Sequence, residues 1–466
     1  MSDHYEFLVI GGGSAGYSGA STAAGLGLRT AVIESGPEVG GLCILRGCMP
    51  SKTLLESGHR ALAIREAAEF GLQAEYRGAD AHEILKRKRR LIGEFADYRR
   101  GQLTSGRFEF IRGRAQFVDA HTIEISLLEG GSRRVTADAI LIATGSVISG
   151  PKIEGLDEAG YWDSDEALDS DRLPESVCIL GGGAIALEFA SYYQGLGIPT
   201  AVIQRSSQVL KEMDTDVANA LSDALIKRGV DLKLNTKLTR VSRRDGRKVV
   251  HYQCKGSDCE AEADQIIYAL GRRPATDGLS LENAGVSLSD AHIAVGLDQR
   301  STAPHIFAAG DVCGPHEIVH LAVEQAAIAA RNAARMIGRL SGEIERMDYA
   351  LKLFAVFSHP QVSLVGLTER EAKARGINFR AASYAFADHG KSLVMGAIDG
   401  FVKLIAEEGS GRLIGGACVG PEAAELIHEI VVAMRFGATA AQLATTPHYH
   451  PTLSEIWTYP AEELAG

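Results

Sequence analysis

One supersecondary pattern occurs twice in this chain, and no other feature restricts its folding so strongly. Residues 5–10 form an apolar run that reads as a strand, followed by Gly11-Gly12-Gly13-Ser14-Ala15-Gly16, a small-residue helix to about Leu26 and a second strand ending at Glu34. The order returns with an apolar strand at 177–180, the turn Gly181-Gly182-Gly183-Ala184-Ile185-Ala186, a helix to about Gly195 and a strand near 201–203. In such a unit the first glycine permits the tight turn, and the second lets the backbone approach a pyrophosphate. The third small residue packs helix on strand, and the helix start turns unpaired N–H groups to the phosphates. Two βαβ units of one design predict two Rossmann-like nucleotide-binding domains. Each half also closes on a related strand and turn, 139–142 before Ala143-Thr144-Gly145 and 265–268 before Ala269-Leu270-Gly271.

At 466 residues the chain exceeds one core. We expect domains at 1–149 and 150–276, a return to the first at 277–346, and a carboxyl-terminal α+β domain at 347–466. That last domain rests on alternating apolar residues such as Leu353, Ala355 and Phe357. A net charge of −11 argues against a nucleic-acid partner, whose phosphates require a basic surface. The start of the chain offers no signal peptide and no apolar run is long enough to span a bilayer, so a cytoplasmic, non-membrane protein is expected. Seven cysteines, odd in number and thinly spread, do not make a secreted disulfide framework.

The two fingerprints differ. Glu34 ends the second strand of the first copy, where a carboxylate accepts hydrogen bonds from an adenosine ribose. The second copy has Gln204 there, with Arg205 beside it and Lys211 further on, and Ala186 as its third small residue. Loss of the acid and gain of cations suit a 2′-phosphate, which favours NADP(H), with NAD(H) the alternative.

The chemistry concentrates in Gly40-Gly41-Leu42-Cys43-Ile44-Leu45-Arg46-Gly47-Cys48-Met49-Pro50-Ser51-Lys52. Two cysteines five apart before a helix start, with Pro50 in its first turn, can form a small disulfide, and the helix terminus favours the thiolate of Cys48. This segment resembles the active-site motif of the pyridine nucleotide–disulfide oxidoreductases, and the likeness extends over essentially the whole chain. The resemblance implies FAD, with Cys48 as the charge-transfer thiolate beside the flavin and Cys43 exchanging with substrate. It implies a Lys52–Glu188 ion pair near flavin N5. It also makes Asp311, at the end of Thr-Ala-Pro-His-Ile-Phe-Ala-Ala-Gly-Asp, the ribityl-binding acid. Expected FAD contacts are Gly11, Gly13, Ser14, Ala15, Gly16, Glu34, Gly41, Leu42, Lys52, Ala115, Thr144, Gly145, Gly310, Asp311 and His320. Expected nicotinamide-nucleotide contacts are Gly181, Gly183, Ala184, Ile185, Ala186, Glu188, Gln204, Arg205, Lys211 and Gly271. No metal is expected. The family usually has Thr and Asn where this chain has Leu42 and Leu45, and Arg46 adds a charge.

His450-Pro451-Thr452-Leu453-Ser454-Glu455 matches the family's acid–base motif, in which a histidine held by a carboxylate moves protons for the exchanging thiols. In the family this pair enters the other subunit's active site, which implies a homodimer with shared sites. Cys254 and Cys259 share the five-residue spacing but flank Lys255-Gly256-Ser257-Asp258, a hairpin tip, and read as incidental thiols; the basic run 86–90 reads as a solvated helix face.

The arginines that hold glutathione carboxylates are replaced by Ser21 and Ala327, with Tyr98 only loosely matching the glutathione-packing aromatic. The Glu and Trp of trypanothione reductases are replaced by Ser18 and Ser21, and the mercuric reductase carboxyl-terminal cysteine pair is missing. A small uncharged helix face with Tyr17 looks most like dihydrolipoyl dehydrogenase, whose lipoyl group arrives on a carrier protein. An NADPH-dependent reductase of another low-molecular-weight disulfide is the second reading. A flavoprotein module without catalysis is the third, and Cys43, Cys48 and His450 argue against it.

Overall fold

The computed structural model describes residues 3–150 and 152–466. The chain forms two compact units, one of residues 1–50, 86–149 and 272–348, the other of 51–85, 150–271 and 349–466.

In the first unit a parallel sheet runs in the order Glu109–Phe117, Thr30–Glu34, His4–Ile10, Ser132–Ile142, Ile306–Ala308. Its central strands are apolar on both faces, as a sheet covered on both sides requires. Thr122–Leu127 pairs antiparallel with both Glu109–Phe117 and Ser132–Ile142, so these three strands extend into a meander beyond the parallel core. Helix Ser14–Gly25 packs against Val319–Met336 through small residues. A Cβ at Gly19 would run into Leu141 and meet Ala326, and Ala326, Ala329, Ala330 and Ala333 are buried.

Among its described residues the second unit holds three sheets. A parallel one runs Gln265–Tyr268, Val177–Leu180, Thr200–Ile203, Asp231–Lys233, and a three-stranded meander covers Thr236–Ala263. The third is antiparallel, in the order Leu353–Val356, Gln361–Gly366, Leu413–Gly420, Phe401–Glu407, Phe379–Ala385. Helices Ala423–Arg435 and Thr458–Ala465 share its core, in which Trp457 is fully buried and donates its indole N–H to the Leu426 carbonyl at 3.1 Å. This is the mixed α/β and α+β architecture that the repeat and the alternating carboxyl-terminal pattern predict.

Two local expectations are corrected. The hairpin tip is only Lys255-Gly256, because Ser257 and Asp258 already lie in the strand Ser257–Ala263. Lys88, within the basic run of helix Ala81–Leu103, is buried while Lys86, Arg87, Arg89 and Arg90 are exposed, since one position of that run falls on the inward face. No helix among the described residues is long and apolar enough to cross a membrane.

Candidate active site

The first glycine turn is shaped by close approach. Gly11 has φ +107°, and a Cβ there would collide with the Ala143 carbonyl; a Cβ at Gly16 would collide with the carbonyl of Gly11. Gly41 (φ +72°) backs onto Gly13, which precedes helix Ser14–Gly25 without any side-chain cap. The helix start at Ser14 and Ala15 therefore has no side-chain cap, the arrangement that suits an anion. Glu34 accepts from Gly12 N–H at 2.8 Å and Gly36 N–H at 2.6 Å, one to each oxygen, so it braces the turn and keeps lone pairs for a ribose.

Further along the same unit, Thr144 donates to the Ala275 carbonyl at 2.7 Å, and Gly145 is left-handed. Gly310 N–H donates to Gln325 at 2.8 Å. Asp311 accepts from the Ser146 hydroxyl at 2.7 Å, and Ser146 in turn accepts from Arg272 at 2.9 Å. Ser146 and Arg272, which orient the acid, were not among the expected residues. Ala115 is buried within its strand, whereas His320 is exposed at the start of helix Val319–Met336.

The second turn repeats the first. Gly181 (φ +120°) faces the Ala269 carbonyl as Gly11 faces Ala143, and Gly183 opens helix Ala184–Gly195 without a side-chain cap. Ile185 in the first turn is partly exposed while Ala186 is buried. Gln204 stands against Gly182 where Glu34 stands against Gly12, but its amide oxygen accepts from Arg205 N–H at 3.0 Å. The Arg205 side chain is exposed; Lys211 is exposed with its ammonium 3.5 Å from Glu212. Arg370 donates to the carbonyls of Lys211 and Glu212, both at 3.0 Å, and so holds this loop. Gly271 (φ +119°) follows the strand Gln265–Tyr268. The carboxylates Asp214, Asp216 and Glu369 surround the buried Lys403 ammonium at 2.8–3.0 Å, so a cation already stands among them.

Cys43 lies in the short helix Gly41–Leu45 with Leu42, and Cys48 begins helix Cys48–Arg65; both are half-buried. One turn on, Lys52 bonds both oxygens of Glu188 at 2.8 and 2.9 Å. Glu188 is 9% exposed and also accepts from Phe357 N–H at 3.1 Å, while the Lys52 ammonium sits 4.7 Å from the Phe357 ring centre. Phe357 thus holds both members of the pair, a role invisible in its sequence context.

His450 presents an imidazole 80% exposed, with Nδ1 3.0 Å from the nearly buried Glu455. The other Glu455 oxygen lies 3.3 Å from Nε2 of His389, which is fully buried and pairs through Nδ1 with Ser392 at 2.9 Å. Burial pushes the His389 imidazole below its usual range, against the pull of Glu455. His389 is a further residue that sequence reading missed, since a lone histidine in Ala387-Asp388-His389 carries no signal.

Two glycine turns of one design, a cysteine pair at a helix start, and a carboxylate-held exposed histidine are the parts that a nucleotide-dependent thiol–disulfide oxidoreductase uses. The comparisons agree. Residues 5–331 match the pyridine nucleotide-disulphide oxidoreductase family, and 354–461 its dimerisation domain. Dihydrolipoyl dehydrogenase of Geobacillus stearothermophilus is 32% identical over 99% of this chain and 96% of its own, and that of Thermus scotoductus 34% over 99% and 97%. Among solved structures, the Cu(II) complex of HOCl-induced flavoprotein disulfide reductase RclA from Escherichia coli matches with a TM-score of 0.85 and 27% identity over 99% of both chains. The chain belongs to the pyridine nucleotide-disulphide oxidoreductase family; it is an FAD-dependent enzyme that couples a pyridine nucleotide to a dithiol/disulfide substrate.

Proposed function

We propose that this enzyme is an NADP(H)-linked, dihydrolipoyl dehydrogenase-like oxidoreductase acting through Cys43 and Cys48, as a cytoplasmic homodimer with shared active sites. FAD would lie on residues 1–149 with 277–346, the nucleotide on 150–276, and dimer contacts on 347–466. The observation that carries the reading is the His450–Glu455 pair, an exposed imidazole fixed by a nearly buried carboxylate, which is the arrangement proton transfer uses.

FAD, held by the first glycine cradle and Asp311, supplies the two-electron link between nicotinamide hydride and cysteine pair. The remaining steps belong to the side chains. In the reducing direction Cys43 thiolate attacks one sulfur of RS–SR, forming Cys43–S–SR and expelling RS⁻, which takes the proton of the His450 imidazolium of a second subunit. Cys48 thiolate then attacks the Cys43 sulfur, closing the Cys43–Cys48 disulfide and releasing the second RS⁻, protonated by water. The substrate gains the two electrons that the cysteines lose. Oxidation of a dithiol, including one on a lipoyl carrier, runs the same steps backwards. A reductase of another small disulfide is the second reading; Gln204 and Arg205 favour it because NADPH is the customary reductant.

The test is nucleotide choice. We expect a higher kcat/KM for NADP(H) than NAD(H), reversed by Gln204→Glu with Arg205→Leu. Loss of charge-assisted hydrogen bonds costs about 1.5–3 kcal/mol, on the order of tenfold to a hundredfold. A wild type that prefers NAD(H) would overturn the NADP(H) assignment. Assays with lipoamide, a lipoylated carrier and oxidised glutathione, each with both nucleotides, decide between the two substrate readings.

A further inference from the structure

Glu455 faces two imidazoles. Its Oε2 lies 3.0 Å from Nδ1 of the exposed His450, and its Oε1 lies 3.3 Å from Nε2 of the buried His389. The first contact is a hydrogen bond. The second is not aligned as one, so Nε2 of His389 is shut off from solvent without a hydrogen-bond partner among the described residues. Other contacts hold the ring in place. Nδ1 of His389 lies 2.9 Å from the hydroxyl of Ser392, itself fully buried, and the backbone N–H of His389 donates to the Phe386 carbonyl at 3.1 Å. The ring of Tyr459 meets the imidazole edge-on at 6.3 Å and stacks in turn on Tyr384, whose hydroxyl donates to the Asp388 carbonyl at 3.2 Å. The charged groups that act on His389 are Glu455 and His450.

Burial disfavours the charged form of His389, and a neutral imidazole has a single N–H to place. The Ser392 hydroxyl can give or accept a hydrogen bond, whereas a carboxylate only accepts. The satisfied arrangement therefore has the proton on Nε2, toward Glu455, with Ser392 donating to Nδ1. A buried N–H without an acceptor is unfavourable, and a slight turn of the carboxylate supplies one. The same turn draws Glu455 away from His450. We infer that His389 is a positioning residue for the exchange chemistry: it competes with His450 for the Glu455 carboxylate and so loosens that carboxylate's hold on the His450 proton. An imidazolium that gives its proton to a departing thiolate, and takes it back in the reverse direction, works best when the proton is not held too firmly. This role presupposes the proposed acid–base work of His450, to which it adds a second imidazole.

The His450 imidazole itself supplies the readout. In the FAD-loaded enzyme carrying isotope-labelled histidine, its magnetic resonance signal is the one lost in His450→Gln. We expect its titration midpoint to rise by about half to one pH unit in His389→Leu, about threefold to tenfold in proton affinity, because the competing donor is gone. His389→Asn, whose amide takes the place of Nδ1 and cannot reach Glu455, should shift the midpoint likewise, and it serves if the leucine variant fails to fold. His389→Gln, whose amide reaches the place of Nε2, should hold the midpoint near the wild-type value. The rate–pH profile for lipoamide reduction with NADPH should move with the midpoint. A midpoint that stays or falls in the Leu and Asn variants, or rises equally in all three, overturns the competition. A midpoint that rises while the rate profile stays in place would leave the His389 contact standing and refute His450 as the proton carrier.

Discussion

Glu34 and Gln204 hold one station in two copies of the same turn, each against the middle glycine, Gly12 or Gly182. The carboxylate reaches back to two backbone N–H groups, whereas the amide engages its own loop and leaves Arg205 exposed beside it. The cysteines invite an equally local test. Cys48→Ser should retain FAD but lose the long-wavelength absorbance of a thiolate stacked on the flavin, along with nearly all turnover. Cys43→Ser should keep that absorbance and still fail to reduce disulfides; substantial reduction by either variant would contradict the assigned roles. His359 supplies a pH prediction. Burial pushes its imidazole down to about 3, with Arg228 and His59 acting the same way. An unfolded imidazole titrates near 6.5, so between about pH 6.5 and 3 the unfolded chain binds a proton that the folded chain refuses. This contribution to stability is complete above the unfolded value and lost as pH falls, at up to about 1.4 kcal/mol per pH unit. Urea unfolding at pH 7 and pH 5 should show wild type losing about 2 kcal/mol more than His359→Gln.

At the scale of elements, the two glycine turns differ in how closely helix meets strand. A Cβ at Gly16 would meet the Gly11 carbonyl, whereas the second turn already carries a buried Ala186 at the matching place. Gly16→Ala should therefore destabilise the protein by about 1–3 kcal/mol and lower its FAD content, read from urea unfolding and the flavin-to-protein absorbance ratio. Ala186→Gly should cost only about 0.5–1 kcal/mol, the entropic penalty of a glycine in a helix. Equal losses from both changes would mean that crowding at the first turn is not what selects glycine there.

For the whole molecule, the proposed shared site makes a prediction about assembly. Cys43→Ser and His450→Gln homodimers should both be nearly inactive, the second by about 10²–10⁴-fold in the thiol–disulfide step. A heterodimer of the two should regain one working site, because one cysteine pair then meets a wild-type histidine from the other chain. Purified heterodimers without activity, or a fully active monomer, would refute the arrangement.

Much of this protein can be read along the chain. The turns 11–16 and 181–186, the Cys43–Cys48 segment and the His450–Glu455 pair are each encoded within a few residues, where backbone geometry alone limits what can form. The contacts between distant segments are of another kind. Lys52 meets Glu188 across 136 residues, Phe357 holds Glu188 across 169, and Ser146 orients Asp311 across 165. The first of these was accessible only through resemblance. Phe357, Ser146 and His389 carry no periodicity or spacing that names their partners. Those partners follow from which strands pair and which faces pack, and that choice is made by the burial of the whole apolar surface rather than by any local run of residues.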